Sequence, residues 1–424
     1  MPLYDIYQQV FVLSMASNLI HDKKKHLSQL QTDIQTELAR VLPMLGNWSV
    51  AWGPVVYQDA QNINGAPDNV WYVAKQPQVL FSDSSRPMDT YVVAIAGTSE
   101  NSKYDMETED LDVGHVVDVN AWIKAGLSSP PTAATNVNDN AKPYISMGTA
   151  LGVSILLTTP VPYHKGAVGS GTLLGKFLES VPSTSRIIFT GHSLGGALSP
   201  TLAFVWWNSS MTREVTLRNV LTYPTGAPSP GNHKFASKFS ATFPCSAGKP
   251  VGHKKWNSNI VNTLDVVPLA WCTKESVEPV YNLNRLPEPS FANVDPAVGI
   301  DFRTLTNAVK YLKSLADGSG MVYRPLKPSP FEGKLDGQPY PTPNDNDPRL
   351  PQWTADAMYH HMDEYFTEMG IPTKLVSENQ PLDLKGNYLR TAHWPVLSAI
   401  IDAAKDPRFL RRSRSCIQSR QSRK

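Results

Sequence analysis

The residues of this chain that could do chemistry are a serine, an aspartate and a choice of histidines. Gly191-His192-Ser193-Leu194-Gly195 sets a serine between glycines two positions before and after it. The stretch Arg186–Thr190 (RIIFT) is rich in β-formers, and Leu194–Trp207 reads as a helix of small and apolar residues. A serine on such a strand–turn–helix tolerates only small neighbours, and it opens a helix whose free N–H groups can hold an oxyanion. The bland alternative is a tight turn with no chemistry. A serine hydroxyl attacks a carbonyl only when a base takes its proton, and the base needs an acid to orient it. Asp265 supplies the acid: it lies in Val261-Asn262-Thr263-Leu264-Asp265-Val266-Val267-Pro268, just after a short apolar strand. The histidines beyond it are His360, His361 and His393. His393-Trp394 falls in a late helical segment and reads as structural, which leaves His360 and His361 as candidate bases. His192 reads as a packing or hydrogen-bonding residue directed away from Ser193, and His115 and His164 as surface residues. One oxyanion donor follows from the turn itself, the Leu194 N–H; the second is expected from Gly97-Thr98.

These residues need strands to deliver them to one edge. Trp48–Val56, Asn69–Val73, Tyr91–Ala96, Arg186–Thr190, Asn219–Tyr223 and Asn259–Asn262 read as strands. Tyr91–Ala96 (YVVAIA) is a continuous apolar run suited to a central parallel strand. Leu3–Leu45 reads as two helices broken near Asp22-Lys23-Lys24-Lys25, the second burying Ile34, Leu38, Val41, Leu42 and Leu45 at helical spacing. Met147–Leu157, Gly171–Ser180, Arg303–Asp317 and Trp353–Met369 are further helical candidates, the last capped by Thr354 or Asp356. Pro200 should weaken or kink the helix after Ser193. Strands alternating with helices predict an α/β fold, a mostly parallel central sheet covered by helices on both faces.

Two segments stand outside that alternation. Ser99–Tyr144 opens with Glu100, Asp105, Glu107, Glu109, Asp110 and Asp112 and reads as a solvated surface excursion. Its spacing is wrong for a calcium loop, because Asp110 stands where glycine would be needed if Asp105 began it. Leu326–Pro351 is proline-dense and reads as a long loop. The expected organisation is one domain over residues 1–406, with the insertion near 99–144 and the proline-rich loop near 326–351. A disordered basic tail is expected over 407–424.

The chain has 424 residues, 41% of them apolar and 18% charged, enough for a large core. The net charge of +2 comes from that tail, whose seven basic residues leave the remainder at −5. No nucleic-acid-binding body is therefore expected. No apolar run is long enough to span a membrane. Three cysteines do not make a disulfide framework; Cys245 and Cys272 either pair or stand as separate thiols. The N-terminal residues lack the pattern of a secretory signal, which tilts the expectation toward a cytoplasmic chain.

In these residues the chain resembles the class 3 lipases, the fungal-type triacylglycerol lipases of the α/β-hydrolase superfamily. Val92–Thr98 is similar to that family's oxyanion block, Thr190–Leu198 to its nucleophile block, Tyr223–Asn232 to its Y-T-F-G-A-P-R-V-G-N block and Asn262–Pro268 to its acid block. A His-x-x-x-Tyr element extends the likeness to His361–Tyr365. The resemblance implies Ser193 as nucleophile, Asp265 as acid, His361 as base and Thr98 with Leu194 as the oxyanion hole. It implies an ester hydrolase working without metal or organic cofactor, with a lipid or other ester as substrate, transient contact with a lipid–water interface, and secretion as the family's alternative to the cytoplasm. It also implies a lid, here within Ser99–Tyr144, whose Val116, Val117, Trp122 and Ile123 would face the site when closed and lipid when open. The chain departs from the family at Ala96, where arginine is usual, and at Ser229-Pro230. The rival readings are an esterase on soluble or aromatic (feruloyl-type) esters and a non-catalytic lipase-like binding or signalling module.

Overall fold

A computed structural model describes residues 4–99, 102, 104–209, 214–245, 252–272, 314–334, 357–377 and 380–384. Its centre is a seven-stranded sheet whose strands lie in chain order: β1 (Ser49–Tyr57), β2 (Asn69–Val79), β3 (Met88–Ile95), β4 (Arg186–His192), β5 (Val220–Thr225), β6 (Asn259–Asn262) and β7 (Pro328–Phe331). The first three form an antiparallel meander, and β3 to β7 run parallel. In register, Val93 lies opposite Phe189 and Phe189 opposite Thr222. The carboxyl ends of β3, β4, β5 and β6 therefore share one edge of the sheet, which is where open α/β sheets gather their ligand-binding groups.

Side chains alternate across a strand, and the two faces carry two cores. Val92, Ala94 and Ile188 point to a core shared with the helices Ile6–Ala16, Leu27–Leu45 and Asp363–Met369. Val93, Ile95, Ile187 and Phe189 point to the other, built with the helices Met147–Thr158, Leu174–Glu179, Leu194–Asn208 and His233–Thr242. This is the α/β architecture expected from the pattern, and Ile34, Leu38, Val41, Leu42 and Leu45 are buried. Pro200 does not interrupt its helix, which runs unbroken from Leu194 to Asn208. The carbonyl that loses its partner there, four residues back, belongs to Gly196.

Three expectations need correcting. The acidic insertion is not a solvated excursion: Asp105 and Glu109 are fully buried, and Val116–Asp118 pairs with Tyr144–Ser146 in a second, four-stranded sheet. Its Val117, Val119 and Trp122 join the core of the helix Leu194–Asn208, and Val116 is also buried. The loop read over Leu326–Pro351 begins as β7, which pairs with β6 through Pro328, Ser329, Pro330 and Phe331. Two prolines fit there because, among the described residues, β7 is the last strand of the sheet. The helix read over Trp353–Met369 breaks at Met362 (φ −120°, ψ −64°), so 357–361 and Asp363–Met369 are separate turns. The break lets Phe366 pack edge-on against Phe11, with ring centres 5.1 Å apart, without moving His361 from the sheet edge.

Cys272 meets the Ser229 hydroxyl at 2.8 Å and Cys245 meets Ser258 at 3.6 Å, so these are separate thiols. Residues 303–313 and 353–356, His393 and the basic tail lie outside the described residues. No helix of the described residues is long and apolar enough to cross a membrane.

Candidate active site

Ser193 sits at the end of β4 with φ 58° and ψ −126°, a conformation rare for any residue but glycine. Its neighbours make that turn sterically exclusive. A Cβ on Gly191 would strike the Gly195 backbone, and one on Gly195 would strike the carbonyls of Ile95 and Ala96. The Ser193 N–H donates to the Thr225 carbonyl at the end of β5 (3.0 Å), which fixes the turn to the sheet. Leu194 opens the following helix, so its N–H belongs to the first turn, where no intrahelical acceptor exists.

The turn after β3 abuts this elbow. A Cβ on Gly97 would lie 2.8 Å from the His192 carbonyl and 3.3 Å from the Ser193 Cβ, so only glycine permits the approach. Thr98, next in the chain, is buried and its hydroxyl donates to Asp110 at 2.9 Å. Burial pushes the Asp110 carboxyl up to about 7, partly offset by the Thr98 hydroxyl. Burial also raises Asp105 and Glu109 above the usual carboxylate range.

Asp265 is fully buried and accepts three hydrogen bonds. One oxygen takes the Val267 N–H (2.9 Å); the other takes His361 Nδ1 (2.8 Å) and the Tyr365 hydroxyl (2.7 Å). The Tyr365 hydroxyl in turn accepts the Asn262 N–H at 3.1 Å. With Nδ1 committed to a carboxylate, the proton of neutral His361 sits there, and Nε2 is left as the basic nitrogen. That Nε2 is buried and has no hydrogen-bond partner among the described residues. Gly226 (φ 57°) makes room for this group: a Cβ there would lie 3.2 Å from both His361 Cε1 and the Tyr365 hydroxyl.

The two candidate bases differ sharply in their partners. His361 faces Asp265, whereas His360 Nδ1 meets Glu364 at 2.6 Å. Asn262 donates to both the His360 carbonyl and the Glu364 carboxylate, so this second pair is a buried network of its own. His192 bonds Thr225 through Nδ1 (2.9 Å), and its ring lies 4.6 Å from that of His361. Burial first, then the nearby His361, holds His192 well below the usual imidazole range, so the ring packed on His361 is neutral. His115 is exposed and His164 is half-buried, both outside the site. Tyr365 had a sequence signal, its spacing from His361, but nothing in that spacing tells of a bond to Asp265.

Comparisons with known proteins bear on the fold and on part of the sequence. Residues 167–273 match the family model described as lipase (class 3). The M37 lipase crystal structure superposes with a TM-score of 0.60 at 22% identity, covering 93% of this chain and 99% of that one. Lipase II from Rhizopus niveus gives 0.33 at 14% identity over 62% of this chain and 73% of its own. The lipase of Rhizopus microsporus var. chinensis gives 0.32 at 12%, over 62% and 68%. No curated protein matches the sequence. The chain thus has the fold of an α/β hydrolase, and its residues 167–273 are similar to the class 3 lipases.

Proposed function

We propose that the chain hydrolyses carboxylic esters through an acyl-enzyme on Ser193. The class 3 lipase match supports a lipase-type ester hydrolase. The observation that carries the finer reading is the His361–Asp265 bond at 2.8 Å, at the same sheet edge as a serine held at φ 58°. Ser193 Oγ attacks the ester carbonyl while His361 Nε2 takes its proton. Asp265 keeps His361 in the tautomer that leaves Nε2 free and stabilises the imidazolium that forms. The negative charge on the carbonyl oxygen is held by the N–H groups of Leu194 and Thr98, which are already oriented before the substrate arrives. His361 returns the proton to the leaving alcohol, then activates water to release the acid and restore Ser193. None of these steps needs a metal or an organic cofactor. The substrate is an acylglycerol or a related lipid ester.

A soluble ester is the second reading, and the packing of the insertion favours it. Val117 and Trp122 are buried in the core of the elbow helix rather than displayed as a free apolar lid. Rates on emulsified triglyceride and on a chain-length series of nitrophenyl esters separate the two. Activity that rises sharply above the solubility limit of the ester supports the lipase reading; saturation below that limit supports the esterase. Absence of hydrolysis with every ester leaves the non-catalytic module.

A further inference from the structure

The turn that carries Thr98 is held by a part of the chain that no motif connects with it. The helix Ile6–Ala16 is buried from Gln9 to Ala16, and the chain leaves it through Ser17 and Asn18 toward the active-site edge of the sheet. There the Gly97 N–H donates to the Asn18 side-chain oxygen at 2.8 Å, in a buried pair 79 residues apart in sequence. The other end of the Asn18 carboxamide donates to the Ser14 and Met15 carbonyls (3.2 and 3.4 Å), which fixes which end faces Gly97. One residue beyond Thr98, the Ser99 hydroxyl donates to the His21 carbonyl at 3.0 Å. The segment 18–21 therefore grips the turn on both sides of Thr98. The turn cannot brace itself from β3: Ala96 has no side chain long enough, and Gly97 must lack one to pass the elbow.

We infer that Asn18 is a positioning residue for the oxyanion hole: its carboxamide oxygen fixes the Gly97 peptide and, through it, the aim of the Thr98 N–H. The inference rests on the reading of Thr98 as an oxyanion donor. A peptide plane rotates about its two Cα atoms, so an acceptor on the Gly97 N–H and a second tether at Ser99 leave the Thr98 peptide little freedom. An oxyanion hole works because its donors need no reorganisation at the moment charge develops. Losing the Asn18 oxygen leaves the Gly97 N–H without its acceptor and loosens the turn on that side, without touching Ser193, His361 or Asp265.

The test uses Asn18→Ala and Ser99→Ala in the full chain with a short soluble ester, alongside melting temperatures. Asn18→Ala is expected to lower kcat about 10- to 100-fold with KM within about threefold, part of what losing an oxyanion donor outright costs. The Ki of a trifluoromethyl ketone, which forms a tetrahedral oxyanion on the serine, should rise by the same factor. Binding of an uncharged alcohol product should not change. Ser99→Ala keeps Asn18 and should show a smaller loss of the same kind, about 3- to 10-fold; it carries the test if Asn18→Ala does not fold. Folded variants with kcat and ketone affinity within about twofold of the parent overturn the inference. So does a loss shared equally by ketone and alcohol, since that marks general damage to the site. Failure of the underlying reading looks different: the parent itself would form no ketone adduct, and both proposals fall together.

Discussion

At the residue scale the account turns on which nitrogen of which histidine is free. Asp265 accepts the hydrogen bond from His361 Nδ1–H, and an amide in its place would present the wrong group to that N–H. Asp265→Asn should lower kcat by about 10⁴-fold with the melting temperature little changed, as expected when a base is left in the wrong tautomer. Tyr365→Phe removes one of the three donors to Asp265 and should lower kcat/KM by about tenfold, the value of one hydrogen bond to a charged group. His360 behaves in the opposite way. His360→Ala leaves Glu364 buried without its imidazole, so stability should fall by about 3 kcal/mol while kcat stays within about tenfold. Urea unfolding and steady-state kinetics on the same samples separate the two effects. Ser193 and Asp265 can be nominated from residue type and chain order alone. The choice between His360 and His361 was not, because adjacent residues at a helix end project in different directions, and only the break at Met362 sets which one reaches the sheet edge.

At the scale of elements, the strand–turn–helix around Ser193 was readable because each part has a local cause: β-branched residues in β4, glycines where the backbone crowds, and a helix of small residues. Gly195→Ala should yield no soluble folded protein, since its Cβ would enter the β3 carbonyls. The insertion was misread for the opposite reason. Carboxylates in sequence look solvated, and whether they are buried depends on what packs over them. Here Asn69, 40 residues back in the chain, donates to Glu109, and Thr98 in the turn after β3 donates to Asp110. Val117, Val119 and Trp122 are part of the main core, so Trp122→Ala should destabilise the protein by about 3–5 kcal/mol in urea unfolding. A detachable lid would show almost no change. The prolines of β7 misled the reading in the same way: a local signal for a loop is overridden when an edge strand needs no N–H on its outer side.

At the scale of the whole molecule, the buried ionisable groups set a pH window. Asp110 is raised from the ordinary 3.8 to about 7 by burial. Between those values the unfolded chain ionises it and the folded chain does not, so its contribution is full below about pH 4 and is lost as pH rises to about 7. Asp105 and Glu109 act in the same direction. His21, lowered to about 3 by burial, acts oppositely: its contribution is full above the ordinary imidazole value and falls away as acid protonates the unfolded chain. The melting temperature should therefore peak in mildly acidic buffer and decline toward pH 8, and Asp110→Asn should flatten the alkaline decline. No decline between pH 6 and 8 would contradict the burial of these carboxyls. A mostly parallel sheet covered on both faces was readable from strands alternating with helices, whereas the strand order and this pH dependence were not, since they belong to contacts between distant segments. Intact-mass analysis after treatment with a fluorophosphonate tests Ser193 as the nucleophile. That role predicts a single stoichiometric adduct mapped to Ser193, absent in Ser193→Ala and slowed in Asp265→Asn. An unmodified parent chain, or an adduct that survives Ser193→Ala, would contradict it.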